Sequence, residues 1–424
     1  MKKILLILLS GVFFLYLPAQ DNAQKFTTSS PEKAGFHSNA LERIDSVFSQ
    51  LIVKGTIPHA VTFIARNGKV VHNKAFGWKN IAEESLVDKQ SIFRNASQTK
   101  LVTSVAILML MEEGKLLLDD PVKKYIPEFG KPVVLESFNP SDTTFTTRPA
   151  KRDITIRHLL THSAGISYGN DKTRKIYDKA GVPIFPVLSK ENITLAEAMK
   201  RLAGCPLEHD PGDKFTYGMN TDVLGLIIEV ASGMPVDVFF SKKILEPLGM
   251  KDTHFYLPED KINRLVTMYS KNSPDAALVV NEKAGGLYQT LPYSGAKTLF
   301  STGAGLCGTI EDYARLCQMI LNGGTFNGHR LLSRKTVELM NKNQLQDLRG
   351  DNGFSLAYEV IRSDKSGKSI LSDGSLTWGG WYGTDYVIDP KENLILLMYL
   401  NTEPLQTGFE LKRLYHNLVY QALK

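Results

Sequence analysis

Ser97 and Lys100 stand three residues apart at the head of an apolar run, Leu101 to Met111. A hydroxyl and an amine at i and i+3 share one face of a helix. A lysine amine beside a serine can activate that oxygen as a nucleophile. Leu101, Val102, Val105, Ala106, Leu108, Met109, Leu110 and Met111 leave almost no polar face, so the pattern predicts a helix buried on most sides, stopped at Gly114 and Lys115. Burying an unpaired ammonium is costly, and burial lowers a lysine pKa toward neutrality. Lys100 is therefore expected to take the Ser97 proton, with helix-start N–H groups favouring the charge that develops. Serine-x-x-lysine is common, however. Taken alone, the tetrapeptide is better explained by an N-cap serine and a solvated lysine.

The elements around it must supply the rest. Asn39 to Val53 is amphipathic and reads as a helix. Ala60 to Ala65 and Lys69 to Phe76 flank Arg66-Asn67-Gly68, a strong hairpin signal. Helices are expected over Ile154 to His162 with Asp153 as its cap, over Thr194 to Leu202, and over Asp222 to Ala231 with Asn220 and Thr221 as caps. Strand patterns return at Leu356 to Arg362, Tyr386 to Ile388 and Leu394 to Leu400, and Phe409 to Leu423 closes the chain as a helix. Residues 255 to 300 read as surface loops, some forming a pocket wall. The expected class is α+β, one antiparallel sheet flanked by helices and interrupted by a helical insertion. Residues 20–96 and 290–424 would form the sheet subdomain, 97–289 the helical one, with the active site between them.

Composition narrows the function. The 424 residues are 43% hydrophobic and 22% charged, with a formal net charge of +6. That charge is small and dispersed, which excludes a nucleic-acid footprint. Lys2 and Lys3 followed by the apolar Ile4 to Leu17 read as a signal peptide over residues 1–19, so a periplasmic or secreted protein with no membrane span after cleavage is expected. A signal anchor is the rival reading. Cys205, Cys307 and Cys317 are too few for a disulfide framework, and Cys317 falls on an apolar helix face. No cysteine–histidine cluster has metal-ligand spacing, so neither metal nor cofactor is expected. Gly165-Ile166-Ser167-Tyr168-Gly169 spells the α/β-hydrolase nucleophile elbow, but a helix-like run precedes it where a strand is needed. His158 and His162 are read as structural histidines.

With these pieces assembled, the chain from about residue 35 onward resembles the serine β-lactamase and penicillin-binding-protein superfamily, above all its class C-like branch and the related family VIII carboxylesterases. Ser97 and Lys100 match the first motif. Tyr217 matches the tyrosine of the second, Tyr-x-Asn, but Met219 holds the asparagine position and Asn220 comes one residue late. Trp378-Gly379-Gly380 stands where the superfamily has Lys/His-x-Gly, and Ser301 to Leu306 is similar to its text as well. The resemblance implies Ser97 as nucleophile, Tyr217 as general acid and base beside Lys100, and an oxyanion hole of the Ser97 and Trp381 backbone N–H groups.

Trp378 offers one indole N–H and an apolar face where the β-lactamases have a cation for the substrate's carboxylate. A secreted serine esterase acting on small neutral ester or acyl substrates through an acyl-enzyme is the first expectation. A D,D-peptidase or β-lactamase, with a basic residue brought from elsewhere, is the alternative. A non-catalytic binding or sensing protein on the same scaffold is disfavoured by Ser97, Lys100 and Tyr217 all being present. Oligomeric state is not legible.

Overall fold

The computed structural model describes residues 25–424 apart from 184–188, 274, 285–286, 363–366, 368 and 404. The expected signal segment, residues 1–19, lies outside the described residues. Helix α1 (Ser38–Val53) is followed by the hairpin of two long strands, and the same sheet is resumed near the C-terminus. In chain order its strands are β1 (Thr27–Thr28), β2 (His59–Arg66), β3 (Lys69–Asn80), β4 (Ser85–Leu86), β5 (Gly353–Phe354), β6 (Glu359–Val360), β7 (Leu376–Gly379), β8 (Asp385–Asp389) and β9 (Leu394–Tyr399). Their order across the sheet is β1-β3-β2-β9-β8-β7-β6-β5, with β4 on β3. Every pairing is antiparallel except β1 with β3, so the sheet is mixed at one margin. Asn67 and Gly68 turn the β2–β3 hairpin with φ of 53° and 70°, the left-handed pair that an Asn-Gly turn supplies.

Both faces of the sheet are covered, which explains why β2 and β9 read as apolar runs rather than alternating strands. Phe63 and Ala65 of β2, with Ile395, Leu397 and Tyr399 of β9, face the helices α2 (Thr99–Glu112) and α4 (Ile310–Leu321). Ile64, with Leu394, Leu396 and Met398, faces α1 and the C-terminal α5 (Leu405–Tyr420). Between α2 and α4 in sequence comes α3 (Asn220–Ser232), which packs on α2 as its main helical partner. Cys317 is fully buried in α4 as expected of a core residue.

Several boundaries differ from the sequence reading. The first short helix is Ile156–Leu160, and its cap is Thr155 in a capping box with His158, not Asp153. Asn220 and Thr221 do not cap α3. They lie inside its first turn, and the Asn220 amide instead donates to Ile166 O at 2.9 Å and contacts His162 Nδ1 at 3.0 Å. Leu356 to Arg362 contributes only the two-residue β6, because Ser355–Tyr358 closes a tight turn through the Ser355 hydroxyl. The segment 255–300 carries short helical turns and two-residue strands rather than bare loop.

Two histidines are buried in β2 and β3. His59 contacts Trp78 O and His72 contacts the Thr62 hydroxyl, at 2.9 and 2.7 Å. Burial pushes each down to about 4, the Trp78 carbonyl and the Asp45 charge opposing it respectively. Folded, they stay neutral where the unfolded chain already binds protons, so stability falls as pH drops from about 6.5 toward 4. Each costs on the order of 3 kcal/mol across that window. The urea midpoint is therefore expected to fall between pH 7 and pH 5, and His72→Gln, which keeps a partner for Thr62, to flatten that slope. An equal slope in the variant would assign the acid sensitivity to other groups.

Candidate active site

The serine is not in a regular helix. Ala96–Gln98 forms a 3-10 turn and α2 begins at Thr99, so Ser97 is half-exposed just outside the helix end. Ala96 before it has φ of 47°, a left-handed backbone that costs a non-glycine residue about 1 kcal/mol or more. Partners far away in sequence hold this turn. Arg94 N donates to Asn401 Oδ1 at 2.9 Å, and Thr384 Oγ1 donates to Asn95 O at 3.3 Å. The Gln98 carbonyl accepts from the Tyr313 hydroxyl, and its side-chain oxygen from that of Tyr399.

Lys100 is 3% exposed, and its ammonium donates in three directions: to Gly303 O at 2.8 Å, Tyr168 Oη at 2.9 Å and Ser97 Oγ at 3.3 Å. Burial works to lower its pKa, but its interactions with the Tyr168 and Tyr217 oxygens outweigh burial and hold it above the ordinary lysine range. Burial likewise pushes the Tyr168 phenol up, against the pull of Lys100. The pair at neutral pH is thus an ammonium and a neutral phenol. Burial alone would lower the Lys100 pKa toward neutrality, and the two phenolic oxygens oppose it. As an ammonium it can orient Ser97 and stabilise negative charge.

The Gly303 carbonyl is aimed by a carboxylate. Asp222 on α3 accepts from Gly303 N at 3.1 Å and from the Ser301 hydroxyl at 2.7 Å. Thr302 O accepts from Thr103 on α2 at 2.7 Å, and Thr302 Oγ1 donates to Thr221 O. Residues 301–306 therefore bolt α2 to α3 at the level of Lys100. Gly225 is required there, since a Cβ would lie 2.2 Å from Thr302 Oγ1.

Tyr217 sits on the loop before α3, with the Lys100 ammonium 4.8 Å from its ring centroid. The Trp378 indole N–H donates to its hydroxyl at 3.3 Å. That loop can lie against Ile166 and Ser167 only because residue 218 is glycine, whose Cβ would fall 2.3 Å from Ile166 O. The consequence is that Tyr168 and Tyr217 meet, ring centroids 5.6 Å apart. Tyr168 is the site residue that the sequence reading missed. It sits inside the G-x-S-x-G stretch, whose serine is structural: Ser167 is buried, and its hydroxyl accepts from Gly169 N at 2.9 Å. His162 stacks near Tyr217 at 4.6 Å, and burial, Lys100 and Arg349 hold it neutral, well below its usual pKa. His158 stays in its capping box, away from the serine.

A cavity of about 360 Å3 opens over Ser97 and Tyr217 and is lined by Trp378, Gly379, Gly380 and Trp381. All seven expected site residues therefore gather at one place. At Gly380 a Cβ would lie 2.2 Å from Thr384 Oγ1 and 2.4 Å from Asn95 O, so the end of β7 presses directly on the turn that carries Ser97. The Trp378 indole N–H is directed at Tyr217 rather than left for a substrate. Two cations also line the cavity, Arg349 and Lys412, each beside a carboxylate, Glu359 at 2.6 Å and Asp385 at 3.4 Å. Neither was singled out in the sequence, because their neighbours there carry no motif.

A serine held by a buried ammonium, sharing one cavity with a tyrosine and a glycine-edged strand, is the arrangement of a serine hydrolase. Residues 44–421 match the β-lactamase family. Esterase EstB of Burkholderia gladioli is 28% identical over 397 residues, covering 89% of this chain and 95% of its own. A protein of Escherichia coli (strain K12) that carries a D-alanyl-D-alanine carboxypeptidase name is 29% identical, covering 88% and 85%. Among solved structures, "EstCE1, a hydrolase with promiscuous acyltransferase activity" superposes with a TM-score of 0.76 at 24% identity, covering 90% of this chain and 99% of that one. The chain belongs to the β-lactamase family and has its fold, and it is a serine hydrolase of that family.

Two substitutions test this geometry. Tyr168→Phe leaves one N–H of a buried ammonium without its acceptor, and kcat is expected to fall by about ten- to a hundredfold with KM little changed. An unaltered kcat would remove Tyr168 from the site. Gly380→Ala is expected to lower kcat by about a hundredfold, because a displacement near 1 Å at the nucleophile has that effect, while costing about 1–3 kcal/mol of stability. Steady-state kinetics beside a denaturation curve would separate the two effects.

Proposed function

We propose that the protein is an exported carboxylesterase that cleaves small ester substrates through an acyl-enzyme on Ser97. The observation that carries this reading is the direction of the Trp378 indole. Its one N–H goes to Tyr217, and its motif position presents an apolar face where the β-lactamases of the superfamily present a cation. The likeness to Esterase EstB supports the same chemistry. Export rests on the charged and apolar pattern of residues 1–19.

In the proposed cycle Tyr217 acts as its phenolate beside the Lys100 ammonium and takes the Ser97 proton as the serine oxygen attacks the ester carbonyl. Lys100 and the Trp378 N–H offset negative charge at the phenolic oxygen. The backbone N–H groups of Ser97 and Trp381 receive the carbonyl oxygen as it becomes an oxyanion. Tyr217 then returns the proton to the leaving alkoxide, and the alcohol departs. Water repeats the sequence on the acyl-enzyme, with Tyr217 again as base, and the carboxylic acid is released.

Intact-mass analysis after a fluorophosphonate should find one adduct, mapped to Ser97, and Ser97→Ala should abolish both labelling and turnover. Short p-nitrophenyl esters should be hydrolysed at least about a hundredfold more efficiently than a chromogenic cephalosporin or a D-Ala-D-Ala peptide, in kcat/KM. Faster turnover of the peptide or the cephalosporin would move the protein to the carboxypeptidase or β-lactamase side of its family. An adduct on Ser167 would refute the assignment of the nucleophile.

A further inference from the structure

Among the described residues, the acceptors of the Lys100 ammonium are two hydroxyl oxygens and the Gly303 carbonyl, none of them a carboxylate. A carboxylate reaches it all the same, through a chain of hydrogen bonds. Lys100 Nζ donates to Gly303 O at 2.8 Å. At the other side of that peptide unit, Ala304 N donates to Ser301 Oγ at 3.1 Å. The Ser301 hydroxyl in turn donates to Asp222 Oδ1 at 2.7 Å. Lys100, Ser301 and Asp222 are all buried, so solvent and salt screen this chain very little.

The surroundings of Asp222 suit its ionised form. Both groups bonded to Oδ1, the Ser301 hydroxyl and Gly303 N, are donors. Among the described residues Oδ2 has no hydrogen-bond partner, so a proton placed there would have no acceptor. Asp222 also stands in the first turn of α3, where the helix dipole favours negative charge. Burial raises its pKa, against the pull of Ser301, the Lys100 charge and the Gly303 N–H.

A carboxylate that draws on the Ser301 hydroxyl makes its oxygen a stronger acceptor for Ala304 N–H. That bond places more negative charge on Gly303 O, the atom facing the ammonium. No proton travels along the chain, since the peptide unit transmits polarisation only. The titratable groups around Lys100 are Tyr168, Tyr217 and His162, with Asp222 behind the 301–306 loop. His162 and Tyr168 are neutral, so the proton that can change place is the one shared by Lys100 and Tyr217. The acyl-enzyme cycle proposed above, on which this inference rests, requires that proton on Lys100. We propose that Asp222 is a positioning residue whose charge, passed through Ser301 and the 303–304 peptide, holds the shared proton on Lys100 and leaves Tyr217 as the base.

The test is Asp222→Asn in the full-length protein. The amide oxygen can still accept from Ser301 and Gly303 N, so the contacts remain and the charge is lost. An ultraviolet difference spectrum against the matching Tyr217→Phe variant reports the Tyr217 phenolate and needs no substrate. The wild-type protein is expected to show the phenolate band at neutral pH, and Asp222→Asn to reduce it at least about tenfold. For p-nitrophenyl butyrate, kcat should fall by about ten- to a hundredfold with KM little changed. Ser301→Ala interrupts the chain while keeping Asp222, and should lower band and kcat together. A band and kcat unmoved by Asp222→Asn overturn the assignment. So does a lowered kcat with an unmoved band, which is what a merely structural role gives. If Asp222→Asn does not fold, an unmoved band in Ser301→Ala overturns it. An active wild type without the band would overturn the phenolate step and this inference together. A band that Asp222→Asn removes, in a protein that hydrolyses no ester, would overturn the esterase reading and support the role of Asp222.

Discussion

A buried lysine ammonium governs the architecture of this site. Lys100 is surrounded by α2, α3 and the 301–306 loop, and its charge is tolerable there only if every N–H meets an oxygen. Each of the three acceptors comes from a different segment: a turn, a loop after a short helix, and a carbonyl turned inward by Asp222. The glycines at 218, 225 and 303 are the positions where those segments come close enough to do so. At each of them a Cβ would overlap a neighbouring atom at 2.4 Å or less. Packing and polar satisfaction thus specify the same geometry, which is the condition for one well-defined arrangement.

The aromatic wall carries a second constraint. Trp378 contacts Tyr217 through both its ring and its N–H, and it carries Arg349 on its outer face. A lysine in its place could offer charge to a substrate but no surface on which a guanidinium could be stacked. The position therefore affects the base, the shape of the cavity and the cation together. Its neighbours Gly379 and Gly380 let the strand edge approach Asn95 and Thr384.

Much of this was legible in the sequence where local pattern and chemistry coincide. The helix after Ser97, the Asn-Gly hairpin and the apolar strands of residues 394–400 all follow from short-range periodicity. Residue type and spacing singled out Ser97 and Lys100, and the family resemblance added Tyr217 and the 378–381 strand. Tyr168 was not legible, because its stretch resembles a different motif and its role depends on Gly218 allowing a loop contact. The upward direction of the Lys100 shift was not legible for a related reason. Burial is readable from an apolar run, whereas the two phenolic oxygens that outweigh it arrive from 68 and 117 residues downstream. Arg349 and Glu359 likewise owe their position to the way two-residue strands fold back beside β7.

The sheet joins β2 to β9, so residues near 60 lie beside residues near 397. The turn carrying Ser97 is completed by the same late arrivals, Thr384 and Asn401. A chain emerging from the ribosome therefore has its nucleophile and lysine early but cannot fix the turn that bears them until the last two strands exist. The long loops that must close first make such non-local pairing slow. Hydrolytic competence then waits for the residues near 400 rather than growing with chain length. Until that point β2 has no partner on its β9 side, and its open edge is a natural place for a chaperone to hold.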